Sequence, residues 1–150
     1  MVKVLSIMDT RGIVGQMARI REQANLLIQN QLRERSIIGI VPAHGTVLSF
    51  LFKQTKPVPI KAVVENVRRV KSTVRAMINK LERYGYVRKT PSGTDNRVTY
   101  VELTQKARRL RKDFDEISMI LLKHLYGNMS KNDRERLVSQ LEQIEQNLRT

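Results

Sequence analysis

The 150-residue sequence contains no cysteine. That excludes disulfides, thiolate metal sites and thiol-based redox sensing. There is no uncharged run long enough to span a bilayer, and the apolar opening "MVKVLSIM" is too short for a secretory signal core. A soluble cytoplasmic protein with no membrane role is expected. Signatures of catalysis are equally scarce: no Gly-rich phosphate loop, no serine in a nucleophile elbow, and no histidine pair at metal-binding spacing. An enzyme is not expected, nor is a cofactor. The two histidines, His44 and His124, lie far apart in sequence. They read as structural or surface groups, because metal sites need three or four converging ligands.

Acidic residues are also few. Fourteen Asp and Glu face 28 Lys and Arg, for a formal charge of +14. Such an excess attracts polyanions, above all nucleic acid. The rest of the composition is ordinary, with 41% hydrophobic and 28% charged residues, so a packed core is expected. The length suits a single folding unit over 1–150.

Apolar spacing predicts six helices and one hairpin. Asp9 or Thr10 caps a first helix striped by Ile13, Met17, Ile20, Ala24 and Leu27. In "GIVPAHGTVLSFLFKQ", Pro42 suits the first turn of a second helix that buries Val47, Leu48, Leu51 and Phe52. "TKPVP" at 55–59 breaks the pattern. Ile60, Val63, Val64 and Val67 mark a short third helix, and Val74, Met77, Ile78 and Leu81 a fourth that ends near Gly85. So close a pair is a helix-turn-helix candidate. "YVRKT" and "RVTYVEL" flank the turn-rich "SGTDNR" and read as a hairpin. Thr104 caps a fifth helix running through Ala107, Leu110, Phe114, Ile117, Leu121 and Leu125. Ser130, with Asp133 three residues on, opens the last, striped by Leu137, Leu141, Ile144 and Leu148. Long amphipathic helices at both chain ends predict an intertwined homodimer, since each alone leaves apolar surface uncovered.

The exposed side of the fourth helix carries the functional expectation. With its apolar residues inward, Ser72, Ala76, Asn79 and Arg83 point away, flanked by Thr73, Arg75 and Lys80. Small residues permit close approach to a major groove, and hydroxyl, amide and guanidinium groups can bond base edges. Arg68, Arg69, Lys71 and Lys80 are placed for phosphate contacts. The hairpin adds Arg88 and Lys89 at its base and Arg97 at its tip, where arginine suits the narrow minor groove. Asp95, two residues from Arg97, can hold that guanidinium in one geometry.

"GIVPAHGTVLSFL", followed by "STVRAMINKLERYGYVRKTPSGTDNRVTYVELTQKA", resembles the MarR-type winged-helix transcription regulators. In that family a Gly-Leu-Thr-Pro helix start precedes the helix-turn-helix, and an Asp-x-Arg wing runs into a Leu-Thr helix start. The resemblance implies a mainly α fold with a small β-hairpin wing. The winged helix-turn-helix would span 39–103, flanked by dimerisation helices at 10–35 and 104–149. It puts Arg97 at the minor groove with Asp95 as its support, and directs Ser72, Thr73 and Arg75 into the major groove. It further implies double-stranded DNA as partner, a homodimer, and a cleft for a small aromatic effector that nothing in the sequence identifies. The chain departs from the pattern at Arg68, Arg69 and Val70, where a small residue, an apolar residue and a Ser or Thr cap are usual, so a shifted helix start is expected. Charge alone supports a different class equally well: a sequence-tolerant architectural DNA-binding or RNA-binding protein.

Overall fold

Asp9 caps a single 3-10 turn, Thr10–Gly12, accepting a hydrogen bond from the Arg11 amide at 3.0 Å. The computed structural model describes residues 9–94 and 97–149. Helix α1 runs over Ile13–Glu34. A 3-10 turn at Pro42–His44, with proline in its first turn, leads into α2, Gly45–Phe52. Then come β1 (Val58–Pro59), α3 (Ile60–Val67), α4 (Lys71–Arg83), β2 (Val87–Pro91) and β3 (Thr99–Leu103). The chain closes with α5 (Gln105–Arg108), α6 (Arg111–Tyr126) and α7 (Lys131–Leu148). Thr104 caps α5 through the Ala107 amide, and Ser130 caps α7 through the Asp133 amide at 3.1 Å, as their sequence positions predict.

One core organises the middle of the chain. Val47, Leu48 and Leu51 of α2, Ile60 and Val63 of α3, and Val74, Met77, Ile78 and Leu81 of α4 meet Val87, Val101 and Leu103 of the sheet. All are buried, so the helix-turn-helix and the hairpin pack as one body. Leu32 of α1, Ala107 of α5 and Ile117 of α6 close it from the side. An Arg35 side chain also ties α1 to α6, its Nη1 lying 2.9 Å from Asp113 and 2.6 Å from Glu116. Both carboxylates raise the arginine's pKa, Glu116 more than Asp113.

Two elements differ from the sequence-based expectation. The hairpin belongs to a three-stranded antiparallel sheet of order β1-β3-β2, in which Val58 pairs with Val101 and Pro59 with Tyr100. The added strand lies within "TKPVP", read from sequence as a break. A two-residue edge pairing has no periodicity to detect, and proline is tolerated on an edge strand. The expected single helix from Thr104 is instead two. The Leu110 amide bonds the Ala107 carbonyl three residues back at 3.0 Å, and Leu110 (φ −90°, ψ 2°) separates α5 from α6. The apolar stripe survives that tightened turn: Ala107 and Ile117 are buried, and Leu110 and Phe114 pack against the core.

Candidate nucleic-acid interface

Helix α4 is held from behind by Val74, Ile78 and Leu81, each fully buried, and by Met77. Its other side is open: Lys71, Ser72, Thr73, Arg75, Ala76, Asn79, Glu82 and Arg83 are exposed, and Lys80 is half-buried. The expected reading face therefore stands free of the core.

The atypical turn before α4 has a definite geometry. Arg68 ends α3 in the left-handed region (φ 56°), its amide bonding the Val64 carbonyl at 3.1 Å. Val70 is the N-cap of α4 and is 70% exposed. Having no side-chain acceptor, it leaves the first-turn amides uncapped, unlike a Ser or Thr. The expected shift in helix start thus resolves to Lys71, with Arg68, Arg69 and Lys71 exposed around it.

The far end of α4 is fastened by charge and hydrogen bonds. Lys106 donates to the Tyr84 carbonyl at 2.7 Å and lies 4.5 Å from the centroid of the Tyr86 ring. A cation at a helix C-terminus also complements the helix dipole. The Thr104 hydroxyl donates to the Gly85 carbonyl at 2.6 Å, and the Tyr86 hydroxyl donates to the Ile38 carbonyl. Gly39 (φ 89°) lies under Tyr84, where any Cβ would overlap the ring. These contacts join residues 38–39 to the end of α4. Their partners lie 19 to 48 residues apart, and no local sequence pattern reveals them.

In the wing, register decides what each basic residue faces. Arg88 sits opposite Glu102 on the outer side and pairs with it at 3.2 Å. Lys89 alternates with it, on the side shared by Val87, Val101 and Leu103, and reaches back to α4. Its Nζ lies 2.7 Å from Asn79 Oδ1 and 3.3 Å from Glu82. Arg97 is exposed in the turn, which the Ser92 amide closes onto the Val98 carbonyl at 2.9 Å. Asp95 lies outside the described residues.

His44 is buried, 2% exposed, and its Nδ1 accepts from the Val41 amide at 3.1 Å. Burial, helped by the Lys80 charge, pushes its pKa down to about 4, so it is neutral near pH 7. His124 is exposed, with Nδ1 2.9 Å from the Ile120 carbonyl. Among the described residues no three His, Cys, Asp or Glu converge as a metal site, and no helix is long and apolar enough to cross a membrane.

A cavity of about 230 Å³ lies between the winged helix and α1 and α6. Leu32, Ile40, Leu48, Phe52, Phe114 and Ile117 form its apolar wall, with Lys53, Arg111 and Asp115 also lining it. Phe52 and Phe114 meet edge to face at 5.8 Å, and the Arg111 guanidinium lies 5.8 Å from the Phe52 centroid. The sequence did not identify this lining, because its residues come from three separated segments.

Residues 42–107 match the family model described as a winged helix DNA-binding domain. Among solved structures, the chain is similar to a MarR-like transcription regulator from Bacillus cereus, at 24% identity and a TM-score of 0.71, over 92% of this chain and 96% of that one. It is similar to MepR of S. aureus in a DNA complex, at 18% identity and a TM-score of 0.79, over 94% and 100%. A third is BpsR of Bordetella bronchiseptica, whose DNA binding is regulated by 6-hydroxynicotinic acid, at 18% identity and a TM-score of 0.76, over 93% and 96%. No curated protein matches in sequence. Residues 42–107 thus resemble a winged-helix DNA-binding domain. The fold of the chain, flanking helices included, is similar to those of solved MarR-type transcription regulators.

Proposed function

We propose that this chain is a sequence-specific transcription regulator that binds an inverted-repeat operator as a homodimer, most simply as a cytoplasmic repressor. The observation that carries this reading is α4: four apolar residues anchor it in the core, while Ser72, Thr73, Arg75, Ala76 and Asn79 stand exposed on a protein of charge +14. Those side chains read the major groove, Arg68, Arg69, Lys71 and Lys80 hold phosphates, and Arg97, aimed by Asp95, enters the minor groove. A similar fold is known in complex with DNA, which supports this use of the surface.

The dimer follows from uncovered apolar surface. A groove of about 540 Å³ runs along Met17, Ile20, Ala24 and Leu27 of α1 and Leu121, Leu125, Leu137 and Leu141 of α6 and α7. A second copy covers it and places two recognition helices about one DNA turn apart, roughly 10 bp. The 230 Å³ cavity takes a small aromatic effector: its wall is apolar and aromatic, and Lys53 and Arg111 together outweigh Asp115 and favour an acidic substituent. The regulation of BpsR by an aromatic acid supports that choice.

Selection of bound sites from random DNA at near-physiological salt, followed by footprinting, tests the reading. An enriched inverted repeat bound roughly 10³-fold or more above non-specific DNA is expected. A ratio near unity would favour the architectural DNA-binding or RNA-binding alternative.

A further inference from the structure

Lys89 lies on the inner side of the wing. Register places it in line with Val87 and opposite Val101, and its side chain is 29% exposed. Its ammonium group rests between two residues one helical turn apart on α4, Asn79 at 2.7 Å and Glu82 at 3.3 Å. An ammonium group has donors and no acceptor, so the atom of Asn79 facing it must be the carbonyl oxygen. That fixes the orientation of the Asn79 amide, which is otherwise ambiguous. Its Nδ2, with two N–H donors, bonds no described residue and lies on the exposed side of α4.

Asparagine in a major groove commonly reads adenine with both amide atoms, the oxygen accepting from N6 and the nitrogen donating to N7. Here the oxygen is held by a cation of the same chain. Guanine presents acceptors at N7 and O6, and thymine at O4, whereas adenine sets its N7 acceptor beside an N6 donor that a held amide oxygen cannot meet. We infer that Lys89 is a specificity-determining positioning residue: by holding the Asn79 oxygen and the Glu82 carboxylate, it turns the Asn79 nitrogen outward as a donor for guanine or thymine edges. Arg88 is paired with Glu102 across the sheet. At the base of the wing Lys89 thus braces the recognition helix while Arg88 is tied to the sheet, and the phosphate contacts fall to other residues.

This inference rests on the sequence-specific reading proposed above, and the two fail separately. If the wild-type chain enriches no sequence, the functional reading is wrong. If an operator is enriched, site selection and salt titration with Lys89→Met and Asn79→Asp test the positioning role. Lys89→Met is expected to lower the preference at one base pair per half-site by about fivefold, admitting adenine there, with the salt dependence of binding unchanged. Asn79→Asp replaces the donor by an acceptor, and preference at the same base pair is expected to move to the donor edges of cytosine or adenine. It sits on an exposed helix face, so its folding is not in question. An unaltered base preference in Asn79→Asp would overturn the proposal. So would a Lys89→Met variant that loses affinity uniformly over all sequences and flattens the log–log salt slope by about 0.9, which marks a lost phosphate contact.

Discussion

Val74, Met77, Ile78 and Leu81 of α4 form one stripe of a helix, and so do Ile13, Met17, Ile20 and Ala24 of α1. The first set is buried within the chain, whereas Ile13 and Ile20 of the second remain 41% and 49% exposed. Among the described residues, all buried hydrophobic residues except Leu32 and Ile117 lie from Ile37 to Ala107, and α7 contains none. The same helical period therefore has two outcomes: the winged helix covers its own stripes, and the terminal helices leave much of theirs uncovered within the chain. Hydrophobic spacing says that a face will be covered and leaves open by what.

The sharpest way to break this contrast is in the core. Leu81→Ala, at a fully buried site, should lower the free energy of unfolding by about 3 kcal/mol in denaturant titrations. A loss under about 1 kcal/mol would mean that the winged helix does not carry its own stability.

Acid should act on the same region. The folded pKa of His44 is held at about 4 against 6.5 in the unfolded chain. The unfolded state thus binds more protons between those values, and the stabilisation, present above pH 6.5, is lost as pH falls towards 4. The difference amounts to at most about 3 kcal/mol at 1.36 kcal/mol per pH unit. Unfolding measured across that window should show the loss, and His44→Gln should flatten the curve.

On the DNA-facing side, Arg97→Ala is expected to cost about 1 to 3 kcal/mol in operator binding, read by fluorescence anisotropy. Asp95→Asn should weaken binding too, although it makes the protein more positive. Tighter binding instead would leave only a general electrostatic attraction.

In the terminal helices, Leu141, 40% exposed in the single chain, gives the complementary test. Leu141→Ala should raise the dimer dissociation constant roughly tenfold in sedimentation experiments, about 1.4 kcal/mol. An unchanged constant would remove this groove from the dimer interface. The smallest effect belongs to the turn before α4. Val70→Ser supplies the missing cap and should add about 1 kcal/mol to stability in thermal or denaturant unfolding.

Much of the architecture could be read directly from the residues. The four buried positions of α4 follow from their spacing, and Thr104 and Ser130 stand where the structure uses them as caps. The exposed positions Ser72, Thr73, Arg75, Ala76 and Asn79 follow from the same helical wheel. The basic residues of the wing were legible as a group but not one by one. Sequence places Arg88 and Lys89 together, and strand alternation sends one to Glu102 and the other to α4.

What the sequence determined by itself is local: which segments become helices, which of their faces turn inward, the caps at Thr104 and Ser130, and a charge of the sign that attracts polyanions. These depend on periods of a few residues and on composition. The tertiary structure decided the pairing of Val58 with Val101, the burial of His44 beside α4, the cavity between the winged helix and its flanking helices, and the orientation of Asn79. Each of these depends on atoms brought together from separate segments, and no spacing within one segment encodes such a meeting.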